Sequence, residues 1–191
     1  MSEELRLDPK HTALVLIDLQ HGIVARQLAP YPGEEVVKNC AHLADALRSK
    51  GGTVIFVRVL VAEILSLPVD APTPRPSGTI PANAWEIVPE TGRKHEDIVV
   101  SKRQWGAFYG TDLDQQLRRR KIQTVILGGI ATNFGVESTA RAAFDRSYEL
   151  VFAEDAMSGI NAEAHGFAVT IIFPKMGRVR STEQIVNGLK T

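Results

Sequence analysis

Short, uniformly apolar runs that stop at polar residues, separated by stretches with helical spacing, restrict the fold of this chain more than any other feature. Ala13-Leu14-Val15-Leu16-Ile17, inside a strand expected over Thr12 to Leu19, is too short and too uniformly apolar for a surface helix. It suits a strand buried on both faces, as in a parallel sheet covered by helices. The run stops at Asp18, followed by Gln20, His21 and Gly22. From Glu34 to Lys50 the apolar residues Val36, Val37, Cys40, Leu43, Ala44 and Leu47 fall at helical spacing. Glu34 and Glu35 occupy the first turn, and Gly51-Gly52 ends the helix.

The same alternation continues along the chain. Strands are predicted at Thr53 to Val59, Ile98 to Val100, Thr124 to Gly128, Glu149 to Ala153 and Arg178 to Arg180. Helices are predicted at Thr111 to Arg120, Val136 to Ser147, Asn161 to Val169 and Thr182 to Leu189. The first of these is opened by the capping-box-like Thr111-Asp112-Leu113-Asp114. Leu60 to His95 interrupts the pattern: six of the ten prolines lie between Pro68 and Pro89, which forbids a long helix or central strand. A long irregular segment of this kind serves as a lid, a binding loop or an oligomer contact. With no internal repeat, strand–helix alternation predicts an α/β fold, an open parallel sheet with helices on both faces.

Composition narrows the function classes. The chain has 191 residues, with 22 Lys+Arg against 22 Asp+Glu and a net charge of zero. That length suits one domain, residues 1–191, burying roughly 70% of the unfolded surface. Without a positive field, neither nucleic acid nor an anionic membrane is an expected partner. The Arg118-Arg119-Arg120-Lys121 run reads as a solvated helix end. A single cysteine, Cys40, excludes an intramolecular disulfide and a thiolate metal cluster. No apolar stretch approaches the ~18 residues of a membrane span, and the acidic start Met1-Ser2-Glu3-Glu4-Leu5 is unlike a signal peptide. The expectation is a soluble, cytoplasmic protein.

In such sheets ligands bind beyond the carboxyl ends of the strands. Four positions fall there: Asp18, Ser101-Lys102, Thr132-Asn133-Phe134-Gly135 and Glu154-Asp155. Each is a turn or cap residue or a functional one. Asp18 and Lys102, if they meet at 4 Å in an effective dielectric of ~20, attract by about 4 kcal/mol, enough to keep both ionised in a semi-buried cleft. Gly128-Gly129 permit unusual backbone angles, and unpaired N–H groups at the start of the following helix can bind a carboxylate or oxyanion. The bland alternative is an ordinary glycine-rich turn. There is no G-x-G-x-x-G after the first strand and no P-loop, so nucleotide binding lacks its phosphate cradle. A receiver-like domain needs a further aspartate pair and a shorter chain. Histidines 11, 21, 42, 95 and 165 form no metal-ligand grouping. His21, beside Gln20, reads as a solvated loop residue. No cofactor and no metal are expected.

Three segments carry a family resemblance. They are Leu14-Val15-Leu16-Ile17-Asp18-Leu19-Gln20, the KRQWGAFYGTDL stretch from Lys102 to Leu113, and Gly129-Ile130-Ala131-Thr132-Asn133-Phe134-Gly135-Val136-Glu137-Ser138-Thr139-Ala140-Arg141. In this order, with Ala143-Phe144-Asp145, Tyr148-Glu149 and Glu154-Asp155-Ala156 behind them, they resemble the isochorismatase-like hydrolases of the cysteine hydrolase superfamily. The resemblance covers roughly Thr12 to Asn187. It implies a three-layer α/β/α sandwich around a six-stranded, mostly parallel sheet.

Members commonly open amides with an Asp–Lys–Cys triad. By match the Asp is Asp18, the Lys is Lys102, and the cysteine position is Gly135. Cys40, on the apolar face of the first helix, reads as a small core residue. The family's metal ligands after the second strand have no counterpart in Val59-Leu60-Val61-Ala62-Glu63, and its small hydroxyl residue before Ala107 is Gly106. A thioester route needs a thiolate that glycine cannot offer. Isochorismatase itself is similar in lacking the cysteine, and cleaves a vinyl ether.

The resemblance therefore implies a metal-independent hydrolase of a small, anionic enol-ether or amide-type metabolite. Asp18 is its general acid/base and Lys102 its electrostatic partner. Gln20 orients Asp18 or the substrate, and Ile130, Ala131, Thr132, Asn133 and Gly135 line the anion or oxyanion site. The family's cis peptide falls at Ile130–Ala131. Trp105, Phe108 and Tyr109 either wall the pocket or serve as core and interface aromatics. One tension is physical: Lys102 lowers the pKa of Asp18, whereas an acid working near neutrality needs it raised, and only burial or an anionic substrate can reverse that. The alternative function is a catalytically silent relative that binds a small ligand or a protein partner. The proline-rich segment with Trp85 points to a homo-oligomer, dimer or tetramer.

Overall fold

The computed structural model describes residues 4–65, 67–72 and 80–189. Six strands form one sheet: β1 (Thr12–Ile17), β2 (Thr53–Val59), β3 (Ile98–Lys102), β4 (Thr124–Ile130), β5 (Glu149–Ser158) and β6 (Gly177–Arg180). Their spatial order is β3-β2-β1-β4-β5-β6, and every neighbouring pair is parallel. The chain winds outward from β1 to β3, then crosses back to place β4 on the other side of β1. That reversal opens a crevice at the carboxyl ends of β1 and β4.

Helices cover both faces because the central strands are apolar on both. All six residues of β1 are buried. Leu14 and Leu16 face a core with Val36, Cys40, Leu43 and Leu47 of α2 (Gly33–Ser49) and Ile185 of α6 (Thr182–Gly188). A four-residue helix, α1 (His21–Val24), buries Ile23 in the same core. Ala13, Val15 and Ile17 face the opposite core, with Leu113 and Leu117 of α3 (Leu113–Arg119) and Ala140 and Ala143 of α4 (Glu137–Phe144). Phe152 and Phe173 stack in that layer with ring centroids 4.1 Å apart, beyond α5 (Ala162–Phe167).

Several sequence boundaries move, and the shifts matter for the site. β3 runs on through Ser101 and Lys102, so these residues belong to the strand instead of following it. With a side-chain period of two, Lys102 faces the same side as buried Val100. β4 extends through Gly128-Gly129 to Ile130. The glycines are therefore not a turn: Gly129 has φ +109°, and a side chain there would run into the Ile17 carbonyl. β5 continues to Ser158, so Glu154 and Asp155 lie within it. Asp155 Oδ1 accepts from Thr182 N (2.7 Å) and Oγ1 (2.8 Å) at the start of α6, and Glu154 Oε2 accepts from the Tyr31 hydroxyl at 3.2 Å.

Other local expectations are corrected too. The capping box at Thr111 does not form; Asp112 caps α3 without a side-chain bond. The helix expected from Val136 begins instead as a π turn, Thr132–Val136, before α4. Another π turn, Ala168–Ile172, follows α5. The described residues of the proline-rich segment are irregular, with single 3-10 turns at Val61–Glu63 and Pro89–Thr91. Its residues 66 and 73–79 lie outside those described. Among the described residues no helix is long and apolar enough to cross a membrane.

Candidate active site

β1 ends because Asp18 turns into the left-handed region, φ +52°, a conformation that aspartate tolerates better than most residues. Its N–H still donates to Val57 O at 2.9 Å, so the carboxylate is carried by a backbone anchored to β2. Lys102 ends β3, two strands away, and its side chain reaches across. Nζ lies 2.7 Å from Asp18 Oδ2, and the two side chains are 1% and 9% exposed. Nζ also donates to Trp105 O at 2.6 Å. Asp18 Oδ1 is buried and has no hydrogen-bond partner, a rare and costly condition for a carboxylate oxygen.

These facts resolve the conflict over Asp18. Burial raises its pKa and outweighs the lowering by Lys102, leaving it at about 6. The protonated form is therefore the one the fold prefers. This stabilisation is complete below pH ~4 and is lost as pH rises through the folded pKa. A rise from 3.8 to about 6 corresponds to about 3 kcal/mol. Denaturant unfolding of the protein and of Asp18→Asn should show the stability difference between them falling by about that amount from pH ~4 to pH ~6.5. A constant difference would mean that Asp18 is solvated.

The loop after β4 closes the site. Ile130–Ala131 is a cis peptide. The π turn then brings Gly135 so close that a Cβ there would lie 3.2 Å from Lys102 Nζ, 3.4 Å from Asp18 Oδ2 and 2.9 Å from Ile17 Cγ2. The N–H groups of Phe134 and Val136 donate to Ala131 O, both at 3.1 Å, and that of Glu137 to Phe134 and Thr132 carbonyls. Those three are thus satisfied within the turn and are not open at the helix start. Asn133 Oδ1 is a second buried oxygen without a partner.

The other candidate residues divide. The Gln20 side chain does not orient Asp18. Its Oε1 accepts from Val59 N (2.8 Å), and its Nε2 donates to Val59 O (3.1 Å) and Trp85 O (2.7 Å), so the fully buried amide braces β2 against the proline-rich segment. Phe108, 6% exposed, belongs to the α3/α4 core, 6.1 Å from the Tyr148 ring, and does not wall the site. Trp105 is 61% exposed and meets Phe134 edge to face at 4.9 Å; its carbonyl, not its ring, contacts Lys102. Tyr109 is exposed. His21 opens α1, partly exposed, its N–H on Glu86 O. Ile130 is buried in the α2-side core and Ala131 packs against that core.

Sequence reasoning gave no role to two residues at the loop, Thr139 and His165. The Thr139 hydroxyl donates to Gly135 O (2.7 Å) and accepts from Ala107 N (3.1 Å), tying the segment after Lys102 to the π turn. Thr132 Oγ1 pairs with His165 Nδ1 at 2.9 Å. Neither carries a motif of its own, because each acts through another residue's backbone or hydroxyl.

The one cysteine, Cys40, is fully buried on the α2 side, its Sγ 3.3 Å from Ala156 O, whereas Gly135 packs against Ile17 on the other side of the sheet. Among the described residues no three His, Cys, Asp or Glu side chains converge on a metal-sized site. At the end of β2, Glu63 pairs with Arg103 at 2.6 Å, so Val59–Glu63 does not fit the ligand set that the family resemblance would place there.

Fold and site together define a class: a doubly wound α/β protein with a buried Asp–Lys ion pair in the crevice at its switch point. Comparison with known proteins gives the family. The isochorismatase domain matches residues 12–184, and the chain belongs to the isochorismatase family. It is 49% identical over 189 residues to the isochorismatase family protein YecD of Escherichia coli O157:H7, covering 97% of this chain and 100% of that one. The structure of an isochorismatase family protein from Burkholderia thailandensis superposes with a TM-score of 0.91 at 43% identity, covering 99% and 100% of the two chains. At 28% identity over 211 residues, the ureidoacrylate amidohydrolase RutB of Acinetobacter baylyi is also similar, covering 97% of this chain and 86% of that one.

Proposed function

We propose that this protein hydrolyses a small, anionic enol-ether or amide-type metabolite through the Asp18–Lys102 pair, as a family member without a cysteine nucleophile. The carrying observation is a sealed carboxyl with a pKa of about 6, one oxygen on an ammonium and the other without a partner. A carboxyl poised near neutrality is suited to donate a proton and to take one back. The unpartnered Oδ1 is the oxygen available to substrate. Gly135, with no side chain, lets the turn come closer to Nζ and Oδ2 than a Cβ would allow.

For an enol ether the steps balance without a covalent intermediate. Asp18 gives its proton to the alkene carbon, and the ether oxygen stabilises the cation that forms. Lys102 offsets the charge left on the carboxylate. Water adds to the cationic carbon and returns a proton to Asp18, and the hemiketal breaks into a carbonyl compound and an alcohol. In the Ala131–Gly135 loop, the N–H groups of Thr132, Asn133 and Gly135, outside the three bonded within the turn, hold the substrate's anionic group. The name of RutB keeps an amide in view, where the same pair would activate water directly.

The experiment is a panel of isochorismate, simple anionic enol ethers and small amides with the purified protein. Turnover is expected on at least one class, with kcat/KM falling about tenfold per pH unit once pH passes ~6, as the acid loses its proton. Thermal shifts with ligands but no turnover across the panel would overturn the reading in favour of a binding protein.

A further inference from the structure

Thr132, the first residue of the π turn, is completely buried, and its hydroxyl has one side-chain partner, His165 Nδ1. His165 projects from α5, 5% exposed, and burial lowers its pKa, so the ring is neutral near pH 7. Tyr31 packs against the imidazole edge to face, with centroids 5.9 Å apart and planes at 83°. Tyr31 is itself fixed at both ends: its N–H donates to Ser158 Oγ and its hydroxyl to Glu154 Oε2, each at 3.2 Å. Beside it, Ala29 and Gly159 exchange backbone hydrogen bonds of 2.7 and 3.1 Å. The histidine therefore stands on a rigid corner of β5 and α5, facing the turn.

Three residues beyond Thr132, Gly135 lies against Lys102 and Asp18. The dryness of Asp18 depends on how closely this turn is held, because a small outward movement admits water to a carboxylate oxygen that now has no partner. We propose that His165 is a positioning residue: through Nδ1 it fixes Thr132 and thereby presses the Thr132–Gly135 turn onto the Asp18–Lys102 pair. It touches neither reacting group. Its catalytic consequence rests on the hydrolase reading above, but its placement of the turn can be measured without any substrate.

The test reads Asp18 directly, by carboxyl carbon-13 NMR titration of the protein, His165→Leu, His165→Asn and Thr132→Val. Lys102 is the charged group facing Asp18, and it is unchanged in all four proteins. In His165→Leu and Thr132→Val the turn loses its anchor, Asp18 becomes hydrated, and its midpoint falls by about one pH unit or more. In His165→Asn the side-chain amide places a polar atom near the Nδ1 position and restores most of the midpoint. A general loss of packing would lower the melting temperature without this pattern. If His165→Leu does not fold, Thr132→Val and His165→Asn still decide the matter. Identical Asp18 midpoints in the folded variants would overturn the proposal. A shifted midpoint with no turnover on the panel would leave the positioning role standing and remove the hydrolase reading; turnover with unmoved midpoints would do the reverse.

Discussion

Asp18→Asn is expected to lower kcat/KM by about 10³-fold or more, the upper part of the range for losing a positioned general acid. The carboxamide keeps the size of the side chain and can still accept from Nζ, but it cannot deliver a proton. The change is close to neutral for stability at pH ~4, where Asp18 already carries its proton beside Lys102, 1% exposed, so lost activity is not lost fold. Replacing both partners by apolar residues, Asp18→Leu with Lys102→Met, should keep the fold while activity stays absent, because desolvating an ion pair gains little over apolar packing. Steady-state rates and urea unfolding on the three proteins separate the two effects. Asp18→Asn retaining turnover within tenfold of the parent would end the acid–base assignment.

Gly135→Cys is expected to gain an activity. The new Cβ would sit 3.2 Å from Lys102 Nζ and 3.4 Å from Asp18 Oδ2, and Ile17 Cγ2, at 2.9 Å, has to give by a few tenths of an ångström. A thiol between an ammonium and a carboxyl that can hold its proton is an activated nucleophile. Small primary amides should then be hydrolysed at least about 10²-fold faster than by the parent, the scale of a positioned base acting on a nucleophile. Iodoacetamide should label the variant once. The parent should resist labelling, since Cys40 is fully buried and burial pushes its thiol far up. A labelled thiol with no amide turnover would show that the surrounding groups are not competent for acyl transfer.

Much of the scaffold was legible because its signals are local. The apolar run before Asp18 and the 3.6-residue spacing of α2 each fix a secondary structure from a few neighbouring residues. Boundaries were less legible where packing overrides propensity. The strand was expected to stop at Gly128, yet β4 runs on to Ile130, and the close approach of β1 leaves no room for a side chain at Gly129. Glu154 and Asp155 read as a strand end, but their partners Tyr31 and Thr182 are distant in sequence and hold them within β5. Phe108 and Gln20 were chemically plausible site residues, and burial assigned both to support.

The sequence by itself determined the alternating order of strands and helices and the residue types at the strand ends, including an aspartate, a lysine and a glycine whose spacing matches a known family. Only the tertiary structure decided that Asp18 and Lys102 meet across β2 at 2.7 Å, that Gly135 closes on them, and that His165 stands behind the turn. It also decided the sign of the Asp18 shift. The physical reason is that periodicity is written in adjacent residues, whereas desolvation is set by everything that packs around a group, and here the loss of water outweighs one neighbouring positive charge.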